Sequence, residues 1–398
     1  MRVAHIITRM IIGGAQENTL FNCQDLVDHY GDEVLLITGP ALGPEGDLLT
    51  RSGLEYGQSR AGELAIKLLP NLRRNIHPIR DWRAAGELRT ALKSFQPDVV
   101  HTHSAKGGLL GRRVAWSLGV PAVLHSVHGA PFHAFQSPLA REFFRRCESW
   151  AAKRCHHMIC VADAMTDLMA DAGVADRDKF TTIYSGMDVE PFLRSDTHRA
   201  ELRKRYGFGE EDVVIGKIAR LFHLKGHEDL IVAAKQVTKR FPHARFLLVG
   251  DGILRERLAS QIESLGMKEH FVFAGLVAPT EVPRLIGAMD ALVHTSYREG
   301  LARALPQALI AGKPAVSYDV DGAREVVHSG ETGFLIPARD TDGLAEALGK
   351  LVESGELRRR LGAEGRTRYT DQFRHETMTR RIRDLYLQVL ERHRSVSR

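Results

Sequence analysis

Short runs of consecutive apolar residues, rich in valine and isoleucine, alternate along this chain with longer stretches whose apolar positions recur at helical spacing. The first runs are RVAHIIT (2–8), EVLLIT (33–38), DVVHTH (98–103), AVLHSVH (122–128), HHMICVA (156–162) and FTTIYSG (180–186). A strand with one wet face shows a polar residue at every second position; an unbroken apolar run implies cover on both faces, as in a parallel sheet. A second series comprises VVIGKIA (213–219), RFLLVGD (245–251), HFVFAG (270–275), DALVHTS (290–296), PAVSYDV (314–320) and FLIP (334–337). Helical segments separate these runs, such as KGHEDLIVAAKQVTKRF, where Leu230, Ile231, Ala234 and Val237 mark one apolar face. The pattern predicts an α/β protein of two Rossmann-like, doubly wound parallel-sheet domains facing across a cleft.

The two series meet in a polar stretch, MDVEPFLRSDTHRAELRKRYGFGEED, with Pro191 near its start and two glycines near its end. This divides the chain into a first domain at 1–187, a linker at 188–211 and a second domain at 212–375. The remainder, 376–398, reads as an amphipathic helix with Met378, Ile382, Leu385, Tyr386 and Val389 on one face. Such a helix has to dock, and a return to the first domain is one place for it. The length of 398 residues fits two domains, since single cores stop growing near ~250 residues.

Composition narrows the function classes. With 43% apolar and 26% charged residues the chain is globular, and no apolar run reaches the roughly 20 residues a spanning helix needs. The opening MRVAHIITRM reads as a buried strand without a signal-peptide cleavage pattern, so a cytoplasmic protein is expected, with any membrane contact peripheral. Cys23, Cys147, Cys155 and Cys160 form no CxxC pair, which predicts reduced thiols, no disulfide and no zinc. A net charge of +6 without an aromatic stacking pattern argues against nucleic acid and favours small anions or an anionic lipid surface.

Ligands of open parallel sheets bind beyond the carboxyl ends of the strands, so the residues following each run are the candidates. Gly13 and Gly14 stand between a strand and a helix, where backbone N–H groups can approach an anion, although a tight turn would look the same. His103 and Lys106 follow the third run, and His128 the fourth. In the second series come Arg220 and Lys225, suited to a diphosphate, then Asp251, and then Glu299 with Gly300. The histidines around 101–133 raise a metal question, but no HExxH or cysteine partner accompanies them, and His101 and His125 lie inside strands. The triplet Asp319-Val320-Asp321 ends a strand before Gly322 and reads as a turn. The segment 139–157 mixes Arg141, Arg145, Arg146, Lys153 and Arg154 with Phe143, Phe144 and Trp150. It reads either as a membrane-surface helix or as a core helix with Phe143, Cys147, Trp150 and Ala151 inward.

The segment SYREGLARALPQALIAGKPAV (296–316) resembles the signature of retaining glycosyltransferase family 4, whose members have the GT-B fold. IITRMIIGGAQ, DVVHTHSAKGG, HSVHG, IYSGMDVEPF, IGKIARLFHLKGHEDLI and LLVGDG resemble its other motifs in order and spacing. The resemblance implies an acceptor-binding first domain and a second domain that binds a nucleotide-sugar donor, UDP-linked being commonest in the family. Transfer would go to a hydroxyl acceptor with retention, without metal or other cofactor, in polysaccharide or glycolipid assembly. The acceptor would be a carbohydrate, free or lipid-linked, and the location cytoplasmic or on the inner face of the plasma membrane. It further implies that His128, Glu299, Arg220 and Lys225 form the catalytic set. Gly13, Gly14, Arg220, Lys225, Asp251, Leu276, Glu299, Gly300, Leu301 and Gln307 would bind the donor, and His103 and Lys106 would lie on the acceptor side. The second acidic position of the signature is Gln307 here, and an amide holds a ribose diol less strongly than a carboxylate. An epimerase or phosphorylase on the same fold, or a nucleotide-sugar-binding protein without activity, are the alternatives.

Overall fold

The computed structural model describes residues 1–42, 46–54, 64–133 and 136–396. The chain divides into two compact units, Met1–Met187 with Phe373–Arg398, and Asp188–Gln372.

The first unit is built on a parallel sheet of seven strands: β1 (Arg2–Arg9), β2 (Glu33–Gly39), β3 (Ala65–Leu68), β4 (Val99–His103), β5 (Ala122–Val127), β6 (His157–Cys160) and β7 (Phe180–Thr182). Their order is β3-β2-β1-β4-β5-β6-β7, so the winding reverses between β1 and β4. Six of these strands are the predicted runs. The seventh, β3, has only four residues, lies at the sheet edge and exposes Lys67, so it offers no unbroken apolar run to detect.

The second unit holds β8 (Val213–Ile218), β9 (Ala244–Val249), β10 (Phe271–Gly275), β11 (Ala291–His294), β12 (Ala315–Tyr318) and β13 (Gly333–Ile336). The order β10-β9-β8-β11-β12-β13 reverses between β8 and β11. Ile215, Phe246, Leu248, Val293 and Val316 of these strands, with Leu230, Ile231 and Leu348 from the helices, are fully or almost fully buried in one core. Both predicted doubly wound sheets are therefore present.

The polar stretch 188–211 is no loose connector. It forms the helices Glu190–Leu193 and Arg199–Arg205, buries Phe192, Leu202 and Phe208, and belongs to the second unit. Its charge, which made it look like a linker, is spent on structure: Arg199 and Arg203 grip the two oxygens of Asp290 at 2.6 and 3.1 Å.

The last helix, His375–Val396, does return to the first unit. Met378, Ile382, Leu385, Tyr386 and Val389 join a core with Leu20, Cys23 and Leu26 of the helix Gly14–Asp28. Polar pairs fix its register: Asp25 accepts from Thr379 Oγ1 at 2.8 Å, and Asp32 binds both Arg383 (2.9 Å) and the terminal ammonium (2.7 Å).

Candidate active site

In the second unit the loop after β8 carries Arg220 and Lys225 into the helix His227–Arg240. Gly226 caps that helix with φ 61°, and a Cβ there would lie 2.0 Å from the Thr295 carbonyl oxygen. Only glycine allows this approach. The loop is therefore clamped onto the end of β11, and Thr295 Oγ1 donates to the Gly226 carbonyl at 2.6 Å. His227 Nε2 donates to the Arg220 carbonyl at 3.0 Å, which holds the other end of the loop.

This clamp brings Lys225 into an ion pair with Glu299, five positions beyond the end of β11. Burial works to raise the Glu299 carboxyl, but its charged neighbours outweigh it and hold the group below the ordinary carboxylate value. His294 Nε2 lies 3.7 Å from Glu299, yet burial pushes His294 down to about 3, so at neutral pH it is uncharged. Lys217, buried inside β8, donates to Thr295 Oγ1 at 2.6 Å, and burial pushes its ammonium down to about 7. The Glu299 backbone N–H donates to Asp321 Oδ2 at 2.6 Å, and Gly322 donates to the Gly300 carbonyl at 3.0 Å. Asp321 adopts φ 46°, and Asp319 pairs with Arg324 at 3.0 Å, in keeping with the turn reading of the triplet.

Of the other donor candidates, Asp251 follows β9, is exposed, and accepts from Leu221 through its carbonyl at 3.0 Å. Leu276 follows β10 and is 78% exposed, an apolar side chain standing clear of the core. Leu301 is half-buried beside Gly300, and Gln307 is half-buried in the helix Ala304–Ile310. Arg220, Lys225, Asp251, Leu276 and Glu299 thus line the carboxyl edge of one sheet. Sequence reasoning did not single out His294 and Lys217, which lie inside apolar runs.

Gly13 and Gly14 belong to the first unit, at the start of the helix Gly14–Asp28. His103 ends β4 and His128 follows β5; the latter lines a cavity of about 270 Å³ with Ser104, Ser126, Gly129 and Pro131. Lys106 is turned aside: it pairs with Asp81 of the helix Pro78–Phe95 at 2.5 Å and donates to the Asn75 carbonyl. His101 and His125 are satisfied inside the sheet, His101 by Tyr386 and Ser126 (2.5 and 2.8 Å), His125 by Thr102 (2.9 Å). A third imidazole, His5 on β1, joins His101 and His103, with ligand atoms within 4.8 Å of one another. The sequence reading did not pair it with them, because the contact arises only from the β1–β4 register.

The helix Pro138–Ala152 turns Glu148, Ala151 and Ala152 inward, with Glu148 paired to the buried Arg112 at 2.8 Å. Phe143 and Trp150, which the core reading placed inside, are exposed. Small residues and a buried ion pair do the packing there instead. A second exposed set lies at 73–83, where Ile76, Ile79 and Trp82 stand among Arg73, Arg74, Arg80 and Arg83. No helix is long and apolar enough to cross a membrane among the described residues.

Residues 16–191 match the family model described as Glycosyltransferase Family 4, and residues 198–368 the one described as Glycosyl transferases group 1. The UDP-Gal:alpha-D-GlcNAc-diphosphoundecaprenol alpha-1,3-galactosyltransferase of Escherichia coli is 26% identical over 98% of this chain and 97% of its own. A GDP-mannose-dependent alpha-(1-6)-phosphatidylinositol monomannoside mannosyltransferase of Mycobacterium tuberculosis is 28% identical over 67% of this chain and 69% of its own. Among solved structures, Anabaena HepE in complex with UDP has a TM-score of 0.81 at 21% identity, covering 98% of this chain and 100% of that one. That likeness speaks for the GT-B fold. With adjoining domain matches across both units and a transferase relative along nearly the whole length, the chain is a glycosyltransferase that carries a family 4 domain followed by a group 1 domain.

Proposed function

We propose that this glycosyltransferase moves a sugar from a UDP-linked donor to a hydroxyl of a lipid-linked saccharide, with retention of configuration and without a metal ion. The observation that carries this reading is the clamped loop that starts at Arg220 and sets Lys225 against Glu299 at one sheet edge. Sugar transfer builds negative charge on the departing diphosphate. A guanidinium, an ammonium and the start of the helix His227–Arg240 are suited to receive it. Glu299, kept ionised, is suited to accept hydrogen bonds from hydroxyls of the transferred sugar, and Gln307 to hold the ribose. Asp319 and Asp321 are engaged with Arg324 and the Glu299 N–H, which leaves the diphosphate to the cations. The departing phosphate then takes the acceptor's proton, so no protein base is needed.

The E. coli relative, named for UDP-Gal and a diphosphoundecaprenol acceptor, supports both the base and a lipid-linked acceptor; the mycobacterial relative is named for a lipid acceptor too. The exposed Ile76, Ile79 and Trp82 with their arginines lie at the start of the helix Pro78–Phe95. Asp81 there holds Lys106, three residues after His103, so this patch adjoins the acceptor-side strand ends. A lipid surface would be met beside the acceptor. The test is incubation with a panel of UDP-sugars and an undecaprenyl-diphosphate-linked sugar in detergent with excess chelator. A product of retained configuration is expected. An inverted product, or a complete loss that added metal restores, overturns the mechanism.

A further inference from the structure

A string of imidazoles runs through the first unit. Parallel pairing sets His5 opposite His101 and His103 opposite Ser126, and alternation puts all of these on one face of the sheet. His5 Nδ1 lies 3.0 Å from His103 Nε2, and His103 Nδ1 lies 3.2 Å from His128 Nε2. His101 stands aside, bound to Tyr386 and Ser126.

Burial pushes His5 down to about 3 and His103 well below the ordinary imidazole value, so both are neutral at pH 7. A neutral ring carries one N–H, and each contact in the string uses one. With all three rings neutral, two arrangements satisfy both contacts. Running inward, His128 donates from Nε2 to His103, which donates from Nε2 to His5, whose own proton then sits on Nε2. That atom is buried and has no hydrogen-bond partner among the described residues. Running outward, every ring donates from Nδ1, and the bare end at His5 is a lone pair. Buried N–H groups without an acceptor are the rarer and costlier outcome.

We propose that His5 and His103 are positioning residues for His128: the string runs outward and holds His128 in the tautomer that carries its proton on Nδ1. His128 is then a hydrogen-bond donor through Nδ1, not a base, and can offer that proton to a substrate oxygen in the cavity it lines. Its catalytic use rests on the transferase reading above; the tautomer does not. A metal ion is the competing occupant, since His5, His101 and His103 have the spacing for one. Three neutral rings supply no negative charge to a buried dication, and the string already uses four of the six ring nitrogens of His5, His103 and His128 on one another.

Nitrogen-15 NMR of the resting protein, with His128 assigned through His128→Gln, reads the tautomer without any substitution in the string. Protonated Nδ1 on His128 is expected, and His5→Leu should shift that signal toward a mixture by removing the donor at the far end. The same variant should lose roughly ten- to a hundredfold in kcat with donor KM within about twofold, the signature of a misplaced group. Protonated Nε2 on His128 in the unsubstituted protein, an unchanged His128 signal in His5→Leu, or stoichiometric zinc in the purified protein overturns the proposal. An Nδ1 tautomer that responds to His5→Leu while turnover is unchanged upholds the string and overturns the catalytic role of His128.

Discussion

Glu299 owes its charge to its neighbours, among which Lys225 is the ion-pair partner. Burial disfavours the carboxylate, His294 is neutral at pH 7, and Lys225 supplies the compensating cation. A group whose contacts strengthen as the glycosidic bond breaks appears in kcat, whereas one that holds the ribose appears in KM. Glu299→Gln is therefore expected to lose roughly a hundredfold in kcat, comparable to removing one electrostatic stabiliser from an active site. Gln307→Glu should keep kcat and lower the donor KM about fivefold, the worth of about 1 kcal/mol from a charged in place of a neutral acceptor. Steady-state kinetics with the preferred donor decide it. Full turnover in Glu299→Gln, or collapsed turnover in Gln307→Glu at saturating donor, would mean the sugar and ribose ends have been exchanged.

At the scale of elements, the strands were legible because burial on both faces writes an unbroken apolar run, and β3 was not because a four-residue edge strand with Lys67 exposed writes none. The polar sheet edge that makes the candidate site was legible for a related reason: residues such as Arg220 and Glu299 come after the runs stop. Lys217, His294 and His5 were not, since polar side chains inside a run reveal their use only through neighbours on other strands. The membrane question shows the same limit. The helix Pro138–Ala152 exposes Phe143 and Trp150, but Arg145 and Arg146 both bind Glu142 at 2.7 Å, which cancels part of their charge. In 73–83 the one acid, Asp81, is committed to Lys106, so the charge of four arginines faces outward less opposed. Each basic residue near an anionic surface contributes about 1 kcal/mol. Replacing Arg74, Arg80 and Arg83 by Gln should therefore weaken binding to phosphatidylglycerol vesicles more than replacing Arg145, Arg146 and Lys153. Vesicle co-sedimentation at low salt measures this, and equal partitioning of the two triple variants would remove the 73–83 segment from the membrane reading.

Both units of the molecule fold around histidines that must stay neutral, and this sets the response of the whole chain to acid. His5 in the first unit and His227 and His294 in the second are pushed down to about 3, in each case first by burial, while His101, His103 and His125 are lowered by the same cause. Unfolded, each returns to an ordinary value near 6.5. Between those limits the unfolded chain binds protons that the fold refuses, so these histidines cost no stability above about pH 6.5 and lower it as pH drops toward 3. The slope is about 1.4 kcal/mol per pH unit for each fully affected group. Lys217 acts in the same direction at higher pH: lowered to about 7 from 10.5, it makes the fold more stable as pH rises through that window. Glu299 adds a further loss only once pH falls into the carboxylate range, because its value is depressed. With several histidines acting together, urea unfolding followed at intervals from pH 8 to pH 4.5 should show a steep decline that begins near pH 6, well before ordinary carboxylates titrate. The two units are best followed by separate probes, since one transition cannot be assumed for two domains. His294→Gln should flatten the decline in the second unit and leave the first unchanged. A stability that stays level from pH 7 down to pH 4.5 would show that these imidazoles are hydrated in the fold, and with that the buried string from His5 to His128 would lose its neutral ground state.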